Sequence, residues 1–399
     1  MIAPQSQALT AALDPREVVV RIRLALPPDE TRVALHEPRF SGNEKAYLID
    51  CIDTNWVSYA GSYVKKFEEA LAQACGVGHA ISVTSGTVAL QIALQMSGVR
   101  QGDEVIVPAL TFVASANAIV HAGGVPHFVD ADADTLGIDP GALARHLDAI
   151  AESKNGETRN KKTGRRIVAI LPVHIFGHPA DMDAINSIAG RFGLAVIEDA
   201  TEALGSRYKD RPCGSLARLG VLSFNGNKVV TTGGGGAVLT DDAALAARLR
   251  HLTTTAKLPH RWAFLHDAVG WNFRMPNINA ALGLAQLERL PTMLSAKRRL
   301  CEAYDAAFAD FAHGRVFKEA RFARSNYWLN ALVLNKGCEA HLEDVLAATN
   351  DAGLGTRPAW TPMHQLPMYR DNPHASLTVT EDLVQRIVNL PSSPFLAAA

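Results

Sequence analysis

One stretch decides the fold: residues 104–130, which read EVIVPALTFVASANAIVHAGGVPHFVD. Two short apolar runs rich in β-branched residues, EVIVPAL and VPHFVD, flank a stretch of helical length, TFVASANAIVHAG. A strand, a helix and a second strand in this order form a βαβ unit, in which the two strands lie parallel in one sheet. Both runs are almost continuously apolar, which is typical of strands that are covered by helices on both faces.

The same alternation extends outward from this unit. On one side lie AISVT and the helical run GTVALQIALQMSG; on the other, DPGALARHLDAI leads to RIVAILPVHIF, DMDAINSIAGRFG and LAVIEDA. The runs VLSFN and GAVLTDD complete the set of strands. We therefore expect an α/β protein in three layers, with a mostly parallel central sheet between helices and a smaller C-terminal α+β domain.

Pro291 marks the expected boundary between the two domains. After it come a helical run, MLSAKRRLCEAYDAAFADFA, a strand, YWLNALVL, and a second helical run, LEDVLAATNDAG. We divide the chain into an N-terminal segment packed on the small domain (1–58), a large cofactor-binding domain (59–290) and the small domain (291–399). Residues 151–166, AESKNGETRNKKTGRR, are polar and predict an exposed loop or hairpin, with or without a chemical role.

Composition excludes several classes of protein. The chain has 399 residues and a net charge of −1, which argues against a nucleic-acid binder that relies on a broad basic field. The five cysteines are scattered without CxxC spacing, so we expect reduced thiols and no metal site. The N-terminus lacks a secretory leader, and no apolar run approaches the roughly 20 residues that span a bilayer. These features predict a soluble, cytoplasmic protein.

The strongest candidate for chemistry is Lys228, in SFNGNK, which follows the β-rich run GVLSF and precedes VVTT and four glycines. A lone lysine in a polar stretch usually lies at the surface and has no chemical role. Here, however, the four glycines that follow would let the backbone approach a ligand closely. Burial or a nearby cation turns a lysine into a nucleophile toward carbonyls, such as an aldehyde cofactor. The four glycines are not a dinucleotide fingerprint, because no helix follows them at the required spacing.

Three further features precede Lys228, each at the end of a predicted strand. Asp199, at the end of LAVIED, could pair with the pyridine nitrogen of pyridoxal phosphate or only cap a helix. Residues 84–87, TSGT, could bind a phosphate at a helix N-terminus or form a plain cap. Phe112 could stack on a flat ring or belong to the core. Together with Lys228, the three are better explained by one pyridoxal phosphate site than by separate structural roles.

Motifs over almost the whole chain, from about Pro38 to Pro391, resemble the sugar aminotransferases of the DegT/DnrJ/EryC1/StrS group. These motifs are WVSYAGSYVKKFE, TSGTVAL, GDEVIVPALTFVASANAI, PVHIFGHPADM, EDATEALGS, SFNGNKVVTTGGGG and GWNFRMPNINAALGLAQLE. The resemblance implies the aspartate-aminotransferase fold, fold type I of the pyridoxal-phosphate enzymes. Within the group, NKKTGR, SFNGNK and LTTTAK with WNFRMPNINAA resemble the LegC-type branch.

Two stretches depart from the family pattern. LARLG replaces the usual link containing Gly-Asp before SF, which we take as a minor loop change. The sequence stops at Ala-Ala-Ala soon after NLPSSPF, where relatives continue through a final helix. That difference leaves the end of the small domain open.

The resemblance implies a role for each matching position. Lys228 matches the lysine that carries the cofactor, Asp199 the partner of the pyridine nitrogen, and Phe112 the aromatic residue over the ring. Glu202 falls where the family has a residue near the ring face or its hydroxyl. The positions that match phosphate contacts are Gly86, Thr87 and Ser223. Asn272 and Arg274 fall in the segment that reaches the neighbouring subunit's cofactor phosphate, which implies a homodimer with shared active sites.

The resemblance also implies the reaction: transfer of an amino group from L-glutamate to C4 of a nucleotide-linked 4-keto-6-deoxy sugar. The LegC-type motifs favour UDP-2-acetamido-2,6-dideoxy-4-hexulose, with a GDP- or dTDP-linked, perosamine-type substrate as the alternative. Candidates for the sugar pocket, each of which could instead be an ordinary surface or core residue, are Trp56, His36, His178, Arg357 and His364.

Three other functions fit the sequence less well. Related sugar dehydratases carry histidine in place of Lys228. A noncatalytic regulator of the same fold would not need Lys228, Asp199 and Ser223 together, and no DNA-binding appendage is visible. A nicotinamide oxidoreductase would need a G-x-G-x-x-G motif, which the sequence lacks.

Overall fold

Helices and strands alternate along residues 13–397, the part of the chain that this computed structural model describes. The helices are α1 (Pro15–Ala25), α2 (Glu44–Asp53), α3 (Ser62–Cys75), α4 (Gly86–Met96), α5 (Val113–His121), α6 (Pro140–Ile150), α7 (Met182–Phe192), α8 (Ala243–Thr253), α9 (Asn277–Glu288), α10 (Leu290–Ala307), α11 (Leu342–Asp351) and α12 (Thr378–Val384). Among these described helices, none combines the length and the apolar character that crossing a bilayer requires.

The strands of the large domain are β1 (His79–Val83), β2 (Glu104–Pro108), β3 (Val125–Val129), β4 (Ala151–Lys154), β5 (Glu157–Asn160), β6 (Ile167–Ile170), β7 (Ala195–Asp199), β8 (Arg207–Tyr208), β9 (Arg211–Pro212), β10 (Leu219–Ser223), β11 (Gly236–Thr240), β12 (Lys257–Leu258) and β13 (Leu265–His266). Later in the chain come β14 (Gly314–Val316), β15 (Ala323–Arg324), β16 (Asn330–Leu334), β17 (Arg357–Pro358) and β18 (Ile387–Leu390). Each strand predicted from the apolar runs is present.

The central sheet has seven strands in the order β1-β11-β10-β7-β6-β2-β3. Neighbouring strands from β10 to β3 pair in parallel, and only β11 runs antiparallel, to β1 on one side and to β10 on the other. The expected mostly parallel sheet is therefore confirmed. In the parallel pair β7–β10, Asp199 lies opposite Val221, so the end of β7 and the end of β10 meet at one edge.

Side chains on β2 show why the protein forms three layers. Val105 and Val107 pack with α4 and α5 on one face, whereas Ile106 between them packs with Leu143 and Leu147 of α6 on the other. Successive side chains of a strand point to opposite faces, so a continuous apolar run supplies both cores.

Helices begin at the carboxyl edge of the sheet because capping side chains follow the strands. Ser85, two residues after β1, accepts a hydrogen bond from the backbone N–H of Val88 at 3.2 Å and caps α4. Asp139 and Asp181 cap α6 and α7 in the same way. A cap of this kind satisfies one of the free N–H groups of the first turn and fixes where the helix starts.

The polar segment 151–166 forms the β4–β5 hairpin, one of the two forms that the sequence predicted. Its base is tied to the amino edge of the sheet. Glu104 accepts hydrogen bonds from the side chains of Asn160 at 2.9 Å and Thr163 at 2.6 Å, and Arg166 forms an ion pair with Asp103. The hairpin is therefore anchored at its base to the strand β2.

The small domain contains the antiparallel sheet β14-β16-β18-β17 with α10 and α11. Val18 and Ile22 of α1 are buried in the same core as residues of α10, α11 and β16. In contrast, α2 packs on α9 of the large domain, because Glu44 binds Gln286 through a hydrogen bond of 2.6 Å. The first twelve residues of the predicted segment 1–58, and the last two of the predicted small domain, lie outside the described residues.

Candidate active site

A cavity of about 610 Å³ lies at the carboxyl edge of the central sheet, between the two domains. The large domain contributes the starts of α4 and α5 and the segments after β7 and β10. The small domain contributes Trp328, Trp360 and the strand β17. The predicted site residues that line the cavity are Gly86, Thr87, Phe112, Glu202, Ser223, Lys228 and Arg357.

Lys228 lies in the segment after β10, with its side chain only 12% exposed. Its Nζ lies 3.4 Å from Oε1 of Glu202 and 3.7 Å from the centroid of the Trp328 ring. Burial lowers the pKa of Lys228, and the nearby carboxylates of Glu202 and Asp199 only partly offset this effect. The lysine therefore has the environment in which an amine becomes nucleophilic.

Asp199 ends β7 and is fully buried. Its Oδ2 accepts a hydrogen bond from the hydroxyl of Ser115 at 2.7 Å, and its Oδ1 accepts one from the backbone N–H of Thr201 at 3.2 Å. Both donors are neutral, so neither of them balances the charge of the carboxylate. A buried carboxylate held in this way fits a cationic group bound above it, such as a protonated pyridine ring.

The first turn of α4 can hold a phosphate. Gly86 and Thr87 form this turn, where backbone N–H groups have no partner within the helix and the helix dipole favours an anion. A Cβ on Gly86 would lie 2.8 Å from Cβ of Ser223, and a Cβ on Gly236 would lie 2.5 Å from the backbone of Ser85. Glycine is needed at both positions because the helix start packs directly on β10 and β11.

Glu202 is a second buried carboxylate and, unlike Asp199, it lines the cavity. Its Oε2 accepts a hydrogen bond from the backbone N–H of Phe176 at 2.8 Å, while its Oε1 faces Lys228. Burial raises the pKa of Glu202 to about 7, although the lysine and the Phe176 N–H oppose the shift. The pKa values of Glu202 and Lys228 are therefore shifted toward each other, and the two groups lie within hydrogen-bond distance for a proton to pass between them.

These residues fit pyridoxal phosphate. The first turn of α4 with Ser223 suits its phosphate, Asp199 its pyridine nitrogen, and Lys228 its aldehyde carbon. Phe112 lies at the rim, 49% exposed, with its ring centroid 6.0 Å from that of Trp360.

The sequence missed several residues of the cavity. Trp328, Trp360 and Asn389 come from the small domain, where neither a motif nor a strand-end rule identified them. Ser115 was within reach of sequence reasoning, because it lies three residues after Phe112 in the motif TFVASANA, on the first turn of α5. Its function as the hydroxyl donor to Asp199 is visible only in the structure.

Within the single chain, Arg274 points inward, and its contact with a neighbouring subunit's cofactor phosphate stays a prediction. Its guanidinium forms an ion pair with Glu68 at 2.8 Å and donates to the carbonyl of Ser82, with only 7% of the side chain exposed. Arg274 shares the buried carboxylate of Glu68 with Arg250, whose Nη2 lies 3.0 Å from Oε2 of that residue. Asn272 is exposed and stays a prediction for a contact with a neighbouring subunit.

Two of the predicted sugar-pocket residues do not line this cavity. Trp56 is 56% exposed and does not line the cavity of this chain. His36 is buried but lines a second, smaller cavity, whereas its neighbour Leu35 lines the first. Arg357 does line the active-site cavity, with its guanidinium held by Oδ1 of Asn350 at 2.8 Å.

The other two histidines lie outside the cavity as well. His178 is buried among aromatic residues, with its ring edge-on to Phe317 and Tyr327. Burial lowers its pKa to about 3, so it is a neutral core residue. His364 lies 3.1 Å from Oε1 of Glu381 in the small domain. Neither lines the cavity of this chain.

One buried group resembles a metal site. The ligand atoms of His174, Glu198 and Cys213 lie within 4.8 Å of one another. However, the carboxylate of Glu198 already accepts hydrogen bonds from the backbone N–H groups of Gly214 and Leu216, and it binds Nε2 of His174 at 2.8 Å. The group is satisfied as a hydrogen-bonded cluster and does not need an ion.

Comparisons with known proteins agree with this geometry. Residues 38–399 match the DegT/DnrJ/EryC1/StrS aminotransferase family. The GDP-perosamine synthase of Caulobacter vibrioides is 39% identical over 373 residues, which cover 93% of this chain and 96% of that protein. The GDP-perosamine synthase of Escherichia coli O157:H7 is 37% identical, with 92% and 94% covered. The crystal structure of the aminotransferase TlmJ from Streptoalloteichus hindustanus superposes with a TM-score of 0.80 at 28% identity, covering 90% of this chain and 93% of that one.

The fold, the arrangement around Lys228 and these similarities lead to one conclusion. The chain belongs to the DegT/DnrJ/EryC1/StrS family of pyridoxal-phosphate-dependent sugar aminotransferases.

Proposed function

We propose that this protein transfers the amino group of L-glutamate to C4 of a GDP-linked 4-keto-6-deoxy sugar, a perosamine-type reaction. The observation that carries the aminotransferase part is the position of Lys228, with Glu202 3.4 Å from its amine and Asp199 buried at the end of the adjacent strand. This pair of carboxylates around one lysine suits proton transfer at a carbon next to a cationic ring.

The nucleotide of the proposed sugar substrate differs from the one that the sequence favoured. The LegC-type motifs favoured a UDP-linked sugar, with a GDP-linked one as the alternative. Relatives named as GDP-perosamine synthases are 39% and 37% identical to this chain over more than nine-tenths of their length. These similarities support the alternative better than the UDP reading, and we adopt it as the proposal.

In this proposal, Lys228 moves the proton. When bound, pyridoxal phosphate supplies an electron sink that stabilises negative charge at the carbon which loses or gains that proton. The amine of Lys228 is held between the Trp328 ring and Glu202, so its Nζ has only a small volume in which to move. Glu202, with a pKa near 7, is placed to take a proton from Nζ or return one.

In this proposal, aromatic side chains of the small domain shield part of the cavity from solvent. Trp360 lies between Phe112 at the rim and Phe176 inside, with ring centroids 6.0 and 4.9 Å away. The indole N–H of Trp328 donates to the carbonyl of Asn227 at 2.7 Å, which holds this ring against Lys228. An apolar cover of this kind strengthens the electrostatic interactions of the reacting groups.

We also propose a homodimer with shared active sites. Asn272 is exposed beside the β12–β13 hairpin, whose Trp262 and Phe264 are 73% and 80% exposed in the single chain. Large exposed aromatic side chains on one hairpin are typical of an interaction surface. The neighbouring subunit's cofactor phosphate is the expected contact of Asn272.

A substrate panel tests the proposal. GDP-, UDP- and dTDP-linked 4-keto-6-deoxy sugars are each offered with L-glutamate, and release of 2-oxoglutarate is followed. We expect the GDP-linked sugar to give the highest kcat/KM. Preference for the UDP-linked sugar would reject the nucleotide assignment but keep the chemistry, whereas no 2-oxoglutarate with any sugar would reject the transamination itself.

A further inference from the structure

A second cavity, of about 270 Å³, lies next to the active site. Neighbouring residues separate the two cavities: Leu35 and Lys228 line the first, while His36 and Val229 line the second. The other walls of the second cavity come from residues 37–39, the end of α9, α10 and residues 394–397. Apart from His36, which the sequence predicted for the sugar pocket, none of these groups has a role in the proposed function.

The lining of this second cavity carries an excess of positive charge. Arg39, Arg289 and Arg299 line it, against a single carboxylate, that of Glu37. Arg39 has only a distant carboxylate, Glu30 at 3.7 Å, and within residues 13–397 neither Arg289 nor Arg299 forms an ion pair. Three guanidinium groups around one small space are therefore left largely uncompensated.

Two of these arginines are held in position. The guanidinium carbon of Arg39 lies 3.8 Å from the centroid of the Phe395 ring, a stacked arrangement that leaves its N–H edge free. Nη1 of Arg289 donates to the hydroxyl of Ser41 at 2.5 Å, which leaves its other N–H groups available. Guanidinium groups with free planar edges match the oxygens of phosphate and carboxylate groups.

His36 adds a buried polar group to the cavity wall. Its side chain is only 8% exposed, and neither ring nitrogen has a hydrogen-bond partner within the described chain. The backbone carbonyl of Asn227 lies close to the His36 ring but accepts the indole N–H of Trp328, at 2.7 Å. A buried imidazole without partners is costly, and a ligand that accepts its N–H would remove that cost.

We propose that the second cavity is a binding site for a small phosphate-bearing anion, held by Arg39, Arg289 and Arg299 at the mouth and by the N–H of His36 at the inner wall. The anion is either free phosphate or the phosphate group of a small phosphomonoester. The volume of the second cavity, about 270 Å³, leaves room for a phosphate and several further atoms.

An anion bound in the second cavity could affect the active site through the chain segment that separates the two cavities. It bridges the segment 36–39 to α10, and the residue before this segment, Leu35, forms part of the active-site wall. Fixing the segment limits the movement of that wall, so an occupied second cavity should change KM for the sugar more than kcat.

Isothermal titration of the protein saturated with pyridoxal phosphate tests the proposal, because the cofactor then fills its own phosphate site. Inorganic phosphate and glycerol 3-phosphate are titrated separately, so that the two sources of the anion are compared. We expect saturable binding of at least one of them. Arg299→Gln should weaken it about tenfold, and Arg289→Gln with Arg299→Gln should weaken it further.

Arg321→Gln is the matched control, because Arg321 is exposed and does not line the cavity. It should change the affinity by no more than about twofold. Arg299 is also exposed, so its variant should fold even if the double variant does not. The proposal is overturned if neither anion binds saturably, or if Arg299→Gln binds them as tightly as the unaltered protein.

Discussion

Two buried glutamates at opposite edges of the central sheet behave in opposite ways. At the amino edge, Glu104 accepts hydrogen bonds from His127, Asn160 and Thr163, at 2.8, 2.9 and 2.6 Å. Burial by itself would raise its pKa, but the three hydrogen bonds outweigh burial and lower it. Such a carboxylate stays charged and ties the hairpin to the sheet.

At the carboxyl edge, Glu202 is buried to a similar degree but accepts only one backbone hydrogen bond besides its contact with Lys228. Burial prevails, and its pKa rises to about 7. The comparison teaches that burial does not distinguish a structural carboxylate from a reactive one in this fold. The two carboxylates differ in the number of hydrogen bonds that stabilise the charged form.

The largest effect is expected from removing the amine at the carboxyl edge. Lys228→Ala should lower glutamate-dependent amination by about 10³-fold or more, since it removes both the attachment of the cofactor and the proton-transfer group. The measurement is 2-oxoglutarate release, together with borohydride reduction, which should no longer fix the cofactor to the chain.

Lys154→Ala is the control at the other edge, because Lys154 is exposed on the β4–β5 hairpin. It should leave both readouts unchanged. Full activity in Lys228→Ala would remove Lys228 from the chemistry.

The second effect is on stability at the amino edge. Glu104→Gln should lower the free energy of unfolding by about 2 kcal/mol, because it weakens a buried network of charge-assisted hydrogen bonds. Urea denaturation at pH 7 measures this. Glu152→Gln on the exposed hairpin should stay within about 0.5 kcal/mol of the unaltered protein. An equal, small effect of both would mean that the network does not stabilise the fold.

The third effect is the pH dependence of Glu202→Gln in the protein without cofactor. The pKa of Glu202 rises from 4.5 to about 7 on folding, so the folded state holds this proton more tightly. The unaltered protein therefore loses stability between pH 4.5 and pH 7, and Glu202→Gln removes that loss. The variant should gain about 1–3 kcal/mol relative to the unaltered protein across this range.

Two controls isolate this effect. The same substitution in a Lys228→Met background removes the contribution of the lysine. Glu104→Gln should not gain stability toward pH 7, because the pKa of Glu104 is lowered and its stabilisation is present above the ordinary value of 4.5. A stability difference that does not change with pH would contradict the raised pKa of Glu202.

The smallest effect is expected at the phosphate end of the carboxyl edge. Gly86→Ala places a Cβ 2.8 Å from that of Ser223 and should weaken cofactor binding about tenfold. A fluorescence titration of the cofactor-free protein measures this. Gly190→Ala is the matched control, since a Cβ at Gly190 in α7 meets nothing within 4 Å. Equal cofactor affinity in the two variants would show that the first turn of α4 does not bind the phosphate.

Sequence reasoning succeeded where chemistry follows from position along one element. Lys228 and Asp199 could be predicted because each follows an apolar strand, and parallel strands place their carboxyl ends at one edge. His178 and His364 do not line the active-site cavity, and the sequence could not show this because a histidine near a motif has the same local pattern whether its side chain faces a cavity or a core. The ion pair of Arg274 with Glu68 could not be predicted either, since the two residues are distant in sequence.

The sequence by itself determined the order of strands and helices, the lysine and the aspartate at the strand ends, and the glycines that let α4 approach β10. These properties are local: they depend on apolar periodicity, capping residues and backbone freedom. Only the tertiary structure decided that β11 runs antiparallel, that Trp328 covers Lys228, and that Glu202 is short of hydrogen bonds while Glu104 is not. These depend on groups that are far apart in the chain, and burial and hydrogen bonding act between atoms that are close in space.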